Sequence, residues 1–324
     1  MASSTLARHE VGGPAPLDLS GRRRRRRGEH LVKWLLLGSS LVTLLTTIGI
    51  IVILLVEALQ FFREVGVFEF LAGTRWTPLF PGEQQAFGVL PLVAGTVITA
   101  LLSAFISIPL GLTAAIYLSE YAGERTRSIL KPILEVLAGV PTIVYGFFAL
   151  TFITPVLLQP IIAVGTFNGL SAAIAIGIMT LPMVASLSED ALRAVPRSLR
   201  EASFALGATR FETSMRVVVP AAISGIMASF ILAVSRAVGE TMIVAVAAGQ
   251  APAGQSSTSR GMWDFTESMQ TMTGFIAYTF SSDVARGTVE FYSLFGVGLL
   301  LFVMTFAMNL VSQGITRRFR EVYE

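Results

Sequence analysis

The chain contains no cysteine, which rules out a disulfide framework and any thiolate metal or redox chemistry. Its two histidines, His9 and His30, both precede the first long apolar run, so little is left for zinc binding or imidazole acid–base work. Charged residues make up only 14% of the 324 positions. No nucleophile and base stand at a useful spacing, no metal-ligating cluster is visible, and no Gly-rich loop ending in Gly-Lys-Ser/Thr cradles a phosphate. An enzyme is therefore the least favoured class.

What the chain has in quantity is apolar surface. Hydrophobic residues account for 53% of it, with a mean hydropathy of +0.70. They are gathered into runs long enough to cross about 30 Å of hydrocarbon. Six spans are expected, near residues 32–56, 89–118, 132–157, 168–187, 220–248 and 291–314, which makes the fold an all-α integral membrane protein. Pro91, Pro109, Pro141 and Pro182 fall inside these spans and mark kinks.

The placement of charge sets the orientation. With both termini inside, cytoplasmic segments carry nineteen of the 24 Lys and Arg residues: eight through Lys33, three from Arg125 to Lys131, five from Arg193 to Arg216 and three from Arg317 to Arg320. Outer segments carry only Arg63, Arg75, Arg260 and Arg286. Residues 1–31 read as a basic, disordered cytoplasmic tail whose run Arg22–Arg27 touches anionic lipid rather than nucleic acid. The apolar run behind it is longer than a signal-peptide core. Residues 32–88 comprise the first span and an outer loop, and 89–324 a core of five helices interrupted by a cytoplasmic loop at 188–219. Within the outer loop, Phe61, Phe62, Phe68, Phe70 and Trp76 are expected to lie partly at the lipid interface. In the other outer segment, 249–290, a flexible stretch from Ala251 to Arg260 precedes a short helix over Met269–Phe280.

The polar stretch EASFALGATRFETSMRVVVP, residues 201–220, reads as two short helices meeting at Gly207. Pro196 sits in the first turn of one helix, and Leu199, Ala202, Ser203 and Leu206 share a face. Gly207 supplies a left-handed cap. Thr209 and Glu212 then have capping-box spacing, so a second helix starts at Arg210 and ends or kinks near Val219, ahead of Pro220.

This stretch resembles the cytoplasmic loop signature of ABC importer permeases. Glu201, Ala202, Gly207 and Pro220 match outright, while Ser203, Val217 and Val219 are near equivalents. The stretches GVLPLVAGT, SIPLGLTAAIYLSEYA, LAGVPTIVYGFF and SRAVGETM are similar to those of the phosphate-specific (Pst) permeases, and the leading span, basic tail and ending GITRRFREVY to the C subunit. The resemblance implies the binding-protein-dependent ABC importer permease fold in a bacterial inner membrane. It implies a second, PstA-type permease subunit, two ATPase subunits and an extracytoplasmic phosphate-binding protein as partners, with ATP and Mg held by the ATPase and no cofactor or metal in this chain. It makes Glu201, Ala202, Ser203, Gly207, Val219 and Pro220 the ATPase-coupling residues, and Arg236, Glu240 and Thr241 the substrate path.

Arg236 and Glu240 stand four residues apart within the fifth apolar run, hence on one helix face, and an ion pair is expected between them. An uncompensated charge at the bilayer centre costs about 2.5–3.5 kcal/mol, so such groups pair or face a protein or water interior. The pair is either a packing device or a donor fork for a passing anion with Glu240 setting its orientation. Glu135 is expected to pair with Arg125, Arg127 or Lys131 at the cytoplasmic surface. Sulfate or molybdate remains an alternative cargo, and a channel or secondary transporter an alternative class.

Overall fold

Every long apolar run is helical, because a backbone in hydrocarbon must satisfy its own N–H and C=O groups. The computed structural model describes residues 22–255 and 260–318, so most of the expected basic tail and the extreme C-terminus lie outside the described residues. Helix α1 spans Arg22–Glu64 and thus begins ten residues before the expected first span.

The chain divides within α1, between Ile53 and Leu54. In the first unit Leu31, Trp34, Leu41, Leu45 and Ile53 are all exposed, the surface of a helix made to meet lipid. Its hydroxyls bond backward along the helix: Ser39 donates to the Leu35 carbonyl, Thr43 to Ser39, Thr46 to Val42 and Thr47 to Thr43, at 2.8–3.0 Å. Four polar groups are thereby satisfied without water.

The second unit continues with α2 (Val67–Ala72), α3 (Leu90–Ile116, running into a π-turn at Tyr117–Tyr121) and α4 (Glu124–Ala138). Next come α5 (Thr142–Phe148, continuing as a π-helical stretch Ala149–Leu158), α6 (Gly169–Ala194) and α7 (Arg197–Ala205). Then follow α8 (Arg210–Thr213), a π-turn at Ser214–Val218, α9 (Val219–Ala221) and α10 (Ile223–Val238). A π-turn at Val244–Ala248, α11 (Met272–Ser281) and α12 (Val289–Arg318) complete the order.

Among the described residues, four helical stretches are long and apolar enough to cross a membrane: Glu29–Glu64, Leu90–Tyr121, Gly169–Ala194 and Val289–Gly314. Six spans result only if two bent pairs each count as one. The expected third span, 132–157, is one of these: α4 and α5 meet at 89° across Gly139–Pro141. The reason is amphipathicity. Arg127 and Lys131 lie one turn apart on one face of α4, and Ile129, Ile133 and Val136 are exposed on the other, so α4 suits an interface rather than a crossing. The expected fifth span is also broken, by a 72° bend between Arg210–Ala221 and Ile223–Val238. The bend falls at Ala222 rather than before Pro220, which is carried within the helical run Arg210–Ala221 just after the π-turn Ser214–Val218.

Helices α3 and α6 form the centre of the second unit. Small residues let them approach closely: a Cβ on Gly111 would sit 2.7 Å from Val184 Cβ, and one on Gly177 3.1 Å from Ile106 Cβ. Helix α10 joins them through a buried Ser188–Ser229 hydroxyl bond of 2.8 Å. At the opposite end, Phe61, Phe70, Trp76 and Phe275 are fully buried and pack edge to face, with Trp76 and Phe275 centroids 4.8 Å apart. Most of the aromatics expected at the lipid interface are therefore core, and Phe68 alone among those five is mostly exposed. Packing decided this: the Trp76–Phe87 bridge folds loop 57–88 back on itself. The short helix expected over Met269–Phe280 is α11, packed on α3 and α12.

Candidate functional site

Two groups of residues were singled out by sequence, and each has a defined geometry. The first is the 196–221 loop. Pro196 is the N-cap of α7, one position before its expected place. Gly207 adopts φ +82°; its N–H bonds the Phe204 carbonyl at 2.9 Å and the Ala208 N–H reaches Ser203 at 3.2 Å, closing a Schellman motif. The capping box forms as expected, with Thr209 N–H donating to Glu212 Oε2 at 2.9 Å and Glu212 N–H to Thr209 Oγ1 at 3.3 Å. A Ser203–Thr213 hydroxyl bond of 2.9 Å ties α7 to α8.

The expected common face of α7 splits. Leu199 packs into a core with Leu192, Val195 and Val218, and Ser203 is half-buried, whereas Glu201, Ala202 and Leu206 face outward. Leu206 is 90% exposed and Phe211 62%. Val219 is half-buried and Pro220 exposed. Two large apolar side chains beside a capped, rigid turn form a surface suited to a partner.

The second group is Arg236, Glu240 and Thr241, and here the structure departs from expectation. Helix α10 stops at Val238, capped at Gly239, so the continuous face required for an i,i+4 pair is lost. No ion pair joins Arg236 to Glu240. Glu240 is buried, and its Oε1 accepts the N–H groups of Met242 and Ile243 at 3.1 and 3.2 Å, capping the turn that follows. Its carbonyl accepts Thr273 Oγ1 at 2.7 Å. Thr241 bonds the Gly239 carbonyl at 3.3 Å. Arg236 is exposed, and its nearest polar contact is a weak one, Nη2 to Met179 Sδ on α6 at 4.0 Å. The donor fork is left without a carboxylate.

Sequence reasoning missed the strongest ionic cluster. Glu189 on α6, its side chain fully buried, accepts Arg127 Nε at 2.7 Å and Lys131 Nζ at 2.9 Å, with Arg193 at 3.9 Å. Lys131 also meets Asp190 at 3.0 Å. Arg127 and Lys131 thus reach across to α6, and the expected Glu135 ion pair does not form. The signal was present in the acidic pair Glu189-Asp190 at a span end, facing an Arg-x-x-x-Lys repeat in the preceding inner segment.

Residues 107–321 match the family described as binding-protein-dependent transport system inner membrane component. The chain belongs to that family. It is an ABC importer permease subunit, a multi-pass membrane protein rather than an enzyme. The permease is 34% identical over 303 residues, 93% of itself and 94% of the relative, to a probable ABC transporter permease protein, YqgH, of Bacillus subtilis. It is 33% identical over 271 residues, 78% of itself and 79% of the relative, to the phosphate transport system permease protein PstC of Mesorhizobium japonicum. A crystal structure of a bacterial ABC transporter involved in alginate import superposes with a TM-score of 0.62, covering 92% of this chain and 100% of that one at 15% identity. This last likeness concerns fold alone.

Proposed function

We propose that this permease subunit imports inorganic phosphate. It lines half of a pore completed by a second, PstA-type permease, and is driven by two ATPase subunits that hold ATP and Mg. Phosphate arrives from an extracytoplasmic binding protein. The relatives named as phosphate permeases support the cargo, and the charge asymmetry supports an inner-membrane topology with both termini cytoplasmic. Glu201, Ala202, Ser203, Gly207, Val219 and Pro220 shape the face that meets the ATPase, with Leu206 and Phe211 as its apolar anchors.

The observation that carries the reading is the unpaired fork of Arg236. With Glu240 occupied as a cap, Arg236 is free to offer two parallel N–H donors to an oxyanion. A dehydrated divalent anion needs a second cation, which falls to the partner permease. Glu240 and Thr241 act by holding the break beside Arg236 rather than by pairing with it. The test is phosphate uptake, competed by sulfate and molybdate, in assembled complexes carrying Arg236→Lys or Arg236→Ala. Lys keeps the charge and loses the fork, so uptake falls; Ala abolishes it. Wild-type uptake by Arg236→Ala at normal assembly would remove Arg236 from the path.

A further inference from the structure

Helix α7 is nine residues long and is bounded by Pro196 at its N-cap and by the Schellman turn at Gly207. Leu199 seats one face of it against Leu192, Val195 and Val218, and Ser203 bonds Thr213 on α8. One further side chain ties it to the end of α3. Arg200 Nη2 meets Glu120 Oε1 at 3.0 Å and Nε meets Oε2 at 3.3 Å, a two-pronged bond to the π-turn that ends α3. The same guanidinium donates through Nη1 to the Val195 carbonyl at 2.6 Å and through Nη2 to the Leu192 carbonyl at 2.8 Å. Both carbonyls lie at the C-terminal end of α6, where a cation is favoured; that of Leu192 also accepts the Val195 N–H at 3.3 Å.

Arg200 therefore joins three elements with four hydrogen bonds. Its side chain is 17% exposed and that of Glu120 10%, so the pair is far less screened than a surface ion pair. The elements joined are the ends of α3 and α6, whose bodies pack through Gly111 and Gly177, and α6 also carries Met179, the neighbour of Arg236. The covalent route from α7 to Arg236 passes instead through a π-turn and the 72° bend at Ala222, which is the more compliant path.

We propose that Arg200 is a positioning residue for coupling: a strut that makes α7 move as one body with the cytoplasmic ends of α3 and α6, transmitting ATPase motion to the α6 side of the substrate path. The proposal rests on the reading of 201–220 as the ATPase-facing loop. It explains why an arginine is used, since four bonds, two to the Glu120 carboxylate and one to each carbonyl, exceed the three N–H donors of a lysine ammonium.

The absence of cysteine from this chain allows spin labels at Ser198→Cys on α7 and Tyr121→Cys in the π-turn after α3 with no other labelling site in the subunit, which is labelled before assembly with its partners. In the purified full complex, the label distance is expected to be narrow with and without ATP. In Arg200→Ala it broadens or shifts by several ångströms, and phosphate moved per ATP hydrolysed falls at least tenfold while hydrolysis continues. Arg200→Lys falls between. Should Arg200→Ala not assemble, Glu120→Gln, which keeps both carbonyl bonds, is measured in the same way and is expected to broaden the distance. A distance in the assembled variant as narrow as wild type, or an unchanged ratio of transport to hydrolysis, overturns the strut. Proportional loss of hydrolysis, uptake and complex amount also overturns it, as a merely structural effect. Failure of wild-type vesicles to take up phosphate would sink the cargo reading instead, while the label distance still decides the strut.

Discussion

Replacing Glu189 by glutamine tests what holds α4 to the helical core. The carboxylate is fully buried on α6 and bonded by Arg127 at 2.7 Å and Lys131 at 2.9 Å. Removing one partner of a buried pair costs about 3–5 kcal/mol when the stranded charges stay dry. Here they do not: Arg127 and Lys131 keep side-chain exposures of 30% and 24%, and Lys131 retains Asp190 at 3.0 Å. The expected loss is therefore smaller, about 2–3 kcal/mol, or about 30- to 150-fold in the opening equilibrium of α4. Apart from the partly exposed Lys131–Asp190 pair, no other ion pair among the described residues joins α4 to the rest, and α4 has no fully buried side chain to compensate. The assay is amide hydrogen exchange by mass spectrometry on the permease in detergent, comparing peptides from α4 with those from α3. Exchange in α4 should rise by that factor with α3 unchanged. Unchanged α4 exchange in Glu189→Gln would refute the ionic clamp.

Gly111→Leu places a branched side chain where a Cβ alone lies 2.7 Å from Val184, and is expected to prevent α3–α6 packing, read as loss of folded protein in detergent. Glu240→Ala leaves the Met242 and Ile243 N–H groups without their acceptor, at about 1–2 kcal/mol, whereas Glu240→Gln keeps a carbonyl oxygen there; faster exchange over 242–248 should appear in the first variant and far less in the second. Asp264 is held below the usual carboxylate range by the Thr266 hydroxyl and then by the Arg260 N–H. Because its folded value is depressed, the turn's stabilisation is complete above the unfolded pKa of about 4 and is lost as pH falls through the lower folded value. Exchange at residue 266 should accordingly be flat, after correction for the intrinsic rate, from about pH 5 to 8 and rise only under strong acid. For topology, a reporter active only outside the membrane should work when fused within 251–260 and fail within 122–128 or after Glu324.

Much of this protein was determined by its sequence alone, for local reasons. Apolar runs become helices wherever water is absent, and a Gly207 cap or a Thr209–Glu212 box depends on residues three or four positions apart. Neither needs the rest of the chain to form. The twenty-residue spacing of the loop carried the family for the same reason. What only tertiary structure decided are the events that depend on partners distant in sequence. Glu240 has the right spacing to pair with Arg236, yet α10 ends at Val238 and the carboxylate turns to Met242 and Ile243, while Thr273 secures its carbonyl. The aromatic loop 57–88 has the composition of an interface belt, but Phe275 and the Trp76–Phe87 bridge give it an interior to fill. Glu189 and Arg200 read as ordinary charges at span ends until α4 and the end of α3 are brought against them, across 62 and 80 positions respectively. Helix periodicity reports which face a residue occupies. Which charge or ring lies across from that face is settled by packing between elements, and no local pattern encodes it.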